Sequence, residues 1–140
     1  MTHFERTLTM NADAARVFAY ISDIQNYPKF LPTLEQIEKL DGERVRVHGR
    51  AHDYQYDKEC FFRIDQAGQK IEWGVEDGHH YRGHMLVHGG DTTQTLCEVT
   101  IGLAFHDPQV EQRGERILDG IQDTLEAIRD QVHGRGGSAF

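Results

Sequence analysis

Nine histidines occur in the chain, and His79, His80, His84 and His88 gather in one short segment where they could hold a metal ion. Their spacing argues against it. On a strand rising about 3.3 Å per residue, His84 and His88 share a face but stand about 13 Å apart, too far for joint ligands that bond at roughly 2.0–2.1 Å. Helical geometry would bring them together, yet Asp77-Gly78 and Gly89-Gly90 bracket the segment as turns, so a hairpin strand without a metal is expected. Covalent chemistry is no better supported. No glycine-flanked serine elbow is present, and neither Cys60 nor Cys97 has an evident activating neighbour. Gly89-Gly90 does not open a helix, so it makes no phosphate cradle, and no cofactor is expected.

What remains is hydrogen bonding and acid/base work on a bound apolar molecule, with Tyr54, Tyr81, His52 and Arg6 as candidates. Tyr54, Tyr56 and Tyr81 each offer a flat apolar ring ending in a hydroxyl that needs a partner when buried, which suits a pocket for an oxygenated ring compound. A core tyrosine bonded to a backbone carbonyl has the same sequence signature. Arg6 shares the phase of Phe4 and Leu8 on an alternating strand. It either reaches water at the strand end or meets an acidic partner or a ligand oxygen inside.

Turns at Asp41-Gly42, Gln66-Ala67-Gly68-Gln69, Asp77-Gly78 and Gly89-Gly90-Asp91, with a weaker break over 51–53, predict strands at about 3–10, 34–40, 43–51, 55–65, 69–76, 80–88 and 93–105. A helical insert follows the first strand over about 12–30, capped by Asn11 and burying Ala14, Val17, Phe18 and Ile21. It runs into Tyr27-Pro28-Lys29-Phe30-Leu31-Pro32, a stiff apolar segment that would either plug one end of the sheet or gate a pocket. A long helix closes the chain. Asp107 caps it, Pro108 fits its first turn, Gly134 would stop it, and Val110, Gly114, Ile117, Ile121, Leu125, Ile128 and Val132 form one stripe.

That order implies an α+β domain in which a curved seven-stranded antiparallel sheet wraps the final helix, with residues 1–133 as the domain and 134–140 as a flexible tail. Taking each strand's apolar phase as inward places Phe4, Leu8, Met10, Val45, Val47, Cys60, Phe62, Ile64, Ile71, Trp73 and Val75 on the helix side. Tyr81, Met85, Val87, Cys97, Val99, Ile101, Leu103 and Phe105 continue the same face. Arg44, Arg46, Glu59, Arg63, Glu72, Glu76 and Glu98 fall on the other face, towards solvent. Each inward apolar residue could simply fill a core, since burying one is worth about 1.5–3 kcal/mol. Trp73, the single tryptophan, fits both core packing and a pocket wall.

Composition narrows the partners. Acidic residues outnumber basic ones 23 to 15, for a formal charge of -8, which argues against nucleic acid and against an anionic membrane surface. No stretch approaches the roughly 18 apolar residues of a membrane span and no signal pattern opens the chain, so a cytoplasmic protein with free thiols is expected.

Phe4-Glu5-Arg6-Thr7-Leu8-Thr9-Met10, Val17-Phe18-Ala19-Tyr20-Ile21-Ser22-Asp23 and Tyr27-Pro28-Lys29-Phe30-Leu31-Pro32 together resemble the START-like helix-grip superfamily, also called SRPBCC. The nearest likenesses are its polyketide cyclase/dehydrase-like and coenzyme Q-binding-like branches. The resemblance implies the helix-grip fold, two short helices after the first strand, and a cavity between sheet and final helix for a small hydrophobic ligand such as a lipid, quinone or aromatic polyketide. Arg6, Phe30, Tyr54, Phe62, Trp73, Tyr81, Met85, Ile121 and Leu125 are the candidate lining, and no catalytic set is assigned. Two alternatives stand beside ligand binding: a polyketide cyclase/dehydratase-type enzyme, and a protein-interaction module whose core is filled by its own side chains. Either a monomer or a homodimer fits.

Overall fold

The computed structural model describes residues 2–31, 33–51, 54–75, 81–89, 96–106 and 108–138, without the side chains of 51, 54, 108, 109, 111 and 134–138. Strand β1 (Thr2–Met10) is followed by α1 (Ala14–Ser22), a 3-10 turn (Ile24–Asn26) and the one-turn α2 (Tyr27–Phe30). Strands β2 (Leu34–Lys39), β3 (Arg44–Ala51), β4 (Tyr54–Asp65), β5 (Lys70–Val75), β6 (Tyr81–Gly89) and β7 (Cys97–Phe105) come next. A 3-10 turn (Pro108–Arg113) leads into α3 (Gly114–Ser138). All seven strands form one antiparallel sheet in the order β1-β7-β6-β5-β4-β3-β2. Five neighbouring pairs are hairpins, and β1 closes the order by pairing with the last strand, Phe4 opposite Leu103 and Met10 opposite Cys97.

The expected insert is broken into three pieces because its polar residues cap locally. Asp13, rather than Asn11, caps α1, its Oδ1 accepting from the Arg16 N–H at 2.7 Å, and the Asp23 carboxylate accepts from the Gln25 N–H at 3.0 Å to begin the 3-10 turn. Val17, Phe18 and Ile21 are the buried face of α1. Tyr27 and Phe30 are buried beneath α3, and the Tyr27 hydroxyl donates to the Ile21 carbonyl at 2.7 Å, so the described part of the proline-bracketed segment packs into the core as a plug.

The last helix departs from expectation at both ends. Its first turns are 3-10, a common tightening at helix N-termini, so the α-helix starts at Gly114. At the far end it runs past Gly134 to Ser138, since glycine weakens a helix by about 1 kcal/mol without forbidding it. Asp107, Pro32, Ala139, Phe140 and the turn residues Asp77-Gly78 and Gly90-Asp91 lie outside the described residues.

Helix α3 lies along β1 and buries Ile121, Leu125, Ile128 and Val132 against the concave face. One core joins these to Met10, Val17, Ile21, Phe30, Phe62, Ile71, Met85, Val87, Val99 and Ile101. Contacts at the sequence extremes fix the helix: Asn11 N–H donates to His133 Nε2 at 2.8 Å, and Arg16 Nη2 donates to the Val132 carbonyl at 3.1 Å. Ile64, expected inward, is 38% exposed near the end of β4, while Ile71 opposite it is fully buried. On the convex face Arg44 pairs with Glu59, Arg46 with Asp57 at 2.9 Å, and Arg63 and Lys70 with Glu72 at 3.9 and 3.7 Å. These exposed pairs add little stability and mark the wet side.

Candidate functional site

Strand register assembles the site. In the β5–β6 hairpin Trp73 stands opposite Gly83, and in the β4–β5 hairpin opposite Phe62. Gly83 has no side chain, so the indole of Trp73 lies flat across its backbone, where any β-carbon would collide with it. From that position Trp73 Nε1–H donates to the Tyr81 hydroxyl oxygen at 3.0 Å. The Tyr81 ring packs on Phe105, directly opposite it on β7, with centroids 5.1 Å apart, and Phe105 meets Phe4 edge-on at 6.1 Å. Phe4 in turn comes to 3.2 Å from where a β-carbon would sit at Gly114, the first residue of α3. Four aromatic rings thus run across β5, β6, β7 and β1 as one wall beside the start of the long helix.

This wall differs from the rest of the concave face. Towards the C-terminal half of α3 the inward side chains are fully covered: Met10, Leu125 and Ile128 are each 0% exposed. Trp73, Tyr81, Phe4 and Phe105 are only half-buried, as are neighbouring Tyr56, Cys60, Leu103 and Ile117. Burial holds the Tyr81 hydroxyl above the ordinary phenol range and outweighs the opposing pull of the Trp73 N–H, and the nearby Cys60 and Tyr56 add to the rise. Tyr81 is therefore a neutral phenol at physiological pH. Burial also pushes the Cys60 thiol up, against the opposing charge of Lys58, and raises Cys97 to about 11. Both cysteines are free thiols, and neither is a ready thiolate nucleophile.

The nine candidate residues separate into distinct groups. Phe62, Met85, Ile121 and Leu125 are buried members of the core, and so is Phe30, in the plug. Trp73 and Tyr81 come together in the wall. Arg6 keeps the inward phase, opposite Ile101, but is exposed, as in the water-reaching alternative. Tyr54 opens β4, and its side chain is outside the described part of the structure, as are His52, His79 and His80. His84 lies across Gly102 on the convex face and His88 is exposed, and among the described residues no three His, Cys, Asp or Glu converge as metal ligands. Burial, then the Lys70 charge, lowers the His84 pKa.

Gly83 and the ring contacts of Phe4 and Phe105 were not in the candidate lining. The signal for Gly83 was present: a hairpin centred on Gly78 pairs residue 73 with 83, setting a glycine opposite the only tryptophan. A hollow of about 300 Å³ also opens beside Arg63, Glu72, Arg82 and His84 of the convex face, and Phe4, Trp73 and Gly83 contribute to its lining. Its rim is ionic, with Arg63 and Lys70 both reaching Glu72.

A family model described as polyketide cyclase/dehydrase and lipid transport matches residues 1–132. Among curated proteins none matches the sequence significantly. The Zhui aromatase/cyclase from Streptomyces sp. R1128 is similar in fold, with a TM-score of 0.74 at 17% identity over 96% of this chain and 94% of that one. A START superfamily protein from Mycobacterium smegmatis gives 0.72 at 14% identity over 93% and 98%. The di-domain ARO/CYC protein BexL gives 0.66 at 17% identity over 90% of this chain, which spans about half (47%) of BexL. No helix among the described residues is long and apolar enough to cross a membrane.

Proposed function

The chain belongs to the polyketide cyclase/dehydrase and lipid transport family, with the START-like helix-grip fold, and from that premise we propose that it binds a small hydrophobic ring compound between its sheet and α3, against the Trp73, Tyr81, Phe105 and Phe4 wall. The observation that carries this reading is the contrast along the concave face. One half is closed by Leu125, Ile128 and Met10, while the other leaves four aromatic rings half-covered beside the helix start. Apolar surface of that kind gains from a ligand that removes it from water, at roughly 25 cal/mol per Å². A filled-core interaction module would cover those rings with its own side chains.

Native mass spectrometry of the freshly purified protein, followed by denaturation and organic extraction, tests the proposal. A stoichiometric apolar adduct supports it. A bare mass, together with no rise in melting temperature from lipids, quinones or aromatic polyketides at saturating concentration, would overturn it.

Catalysis is the second reading, and the Tyr81 hydroxyl favours it, because a neutral phenol within an aromatic wall can donate to a developing oxyanion on a bound substrate. Turnover of a poly-β-keto substrate that is lost in Tyr81→Phe while binding persists would separate an enzyme from a carrier.

A further inference from the structure

The described tyrosines at this face use their hydroxyls in opposite senses. Tyr27 donates to the Ile21 carbonyl at 2.7 Å, and Tyr56 donates to the Thr33 carbonyl at 3.2 Å, so both protons are taken by backbone oxygen. Tyr81 is different. Its oxygen accepts from Trp73 Nε1–H at 3.0 Å, an indole can only donate, and no described group accepts the Tyr81 proton. A hydroxyl whose oxygen is engaged from one side retains its hydrogen for a partner on another, and this one is set among apolar rings. A buried donor with no acceptor among the described residues carries a desolvation cost that a matching ligand oxygen removes.

We propose that Tyr81 makes the site selective for ring compounds bearing a carbonyl oxygen, which receives the Tyr81 proton while the ring lies against Trp73 and Phe105. The inference rests on the ligand-binding reading above and adds the polarity of the ligand to it. Tyr81 is the specificity residue, and Trp73 is a positioning residue that acts through it: by occupying one side of the oxygen, the indole limits where the hydrogen can point. Gly83 belongs to the same device, because it alone lets the indole reach that oxygen. A hydrocarbon of equal shape would fill the wall and leave the donor unmatched. The neutral state of Tyr81 keeps the donor present across the physiological pH range.

The test uses the intact chain with 9-fluorenone and fluorene, which share a tricyclic frame and differ by the carbonyl, titrated against the fluorescence of the single tryptophan. The quantity read is the ratio of the fluorene to the fluorenone dissociation constant. It should fall about threefold to tenfold in Tyr81→Phe, the equivalent of one neutral hydrogen bond. It should fall by less in Trp73→Phe, followed by calorimetry since that variant lacks the reporter. The infrared carbonyl band of bound 9-fluorenone should lie below its position in an alkane solvent for the unmodified protein and return to that position in Tyr81→Phe. The infrared measurement on the unmodified protein decides the matter even if the variant does not fold. Binding of both compounds with an unchanged ratio in Tyr81→Phe, or a carbonyl band at its alkane position, would overturn the carbonyl inference and leave ligand binding standing. Binding of neither compound would overturn both.

Discussion

Replacing Gly83 by alanine probes the wall from beneath. The added methyl group would overlap the six-membered ring and Nε1 of Trp73, so the indole must lift and its 3.0 Å bond to Tyr81 must break. Forcing a methyl into a packed contact costs about 1–3 kcal/mol, and loss of one neutral hydrogen bond adds about 0.5–1.5 kcal/mol. Against this, alanine restricts the unfolded chain more than glycine does, which favours folding by about 0.4–1 kcal/mol. The expected net loss is about 0.5–4 kcal/mol. It should appear as a lower urea midpoint with an unchanged slope, because the surface exposed on unfolding hardly changes. Trp73 reports its own displacement, being the only tryptophan, and its emission should move to longer wavelength as the ring leaves the strand backbone for water. An alanine variant as stable as the parent, with the same emission maximum, would refute the placement of the indole over Gly83 and with it the bond to Tyr81.

Three further outcomes follow from the packing of the same molecule. Leu125→Ala removes a 0% exposed side chain from under α3 and should cost about 2–5 kcal/mol in chemical denaturation; a loss under 1 kcal/mol would mean that the helix is not seated there. Tyr27→Phe leaves the Ile21 carbonyl without its 2.7 Å donor in a buried plug and should cost about 1–3 kcal/mol, so a neutral effect on the urea midpoint would argue against that bond. Because His84 has a lowered pKa in the folded state, the unfolded chain binds its proton first: the contribution is present above about pH 6.5 and is lost as the pH falls below it. Urea midpoints at pH 5 and 7.5 should therefore differ less in His84→Asn than in the parent, and equal differences would dismiss the effect.

The order of elements and the two faces of the sheet were determined by local pattern. Alternation with period two fixes which side chains leave each face of a strand, so Cys60, Phe62, Ile71, Trp73, Met85 and Val99 could be assigned inward without knowing what covered them. The three-and-four spacing of Ile117, Ile121, Leu125 and Ile128 likewise set the buried stripe of α3. Only the tertiary structure decided how far that helix covers the sheet, and hence that Leu125 and Met85 are core while Trp73 and Tyr81 stay half-covered. It also decided the hydrogen-bond partners of Tyr27, Tyr56 and Tyr81. Residues 27, 56 and 81 look alike as sequence, and the difference lies in whether a backbone carbonyl from another segment or the indole of a neighbouring strand reaches the hydroxyl. Side-chain direction repeats every two or 3.6 residues and is therefore written locally; a hydrogen-bond partner depends on where distant segments come to rest, which is fixed only when the whole chain has packed.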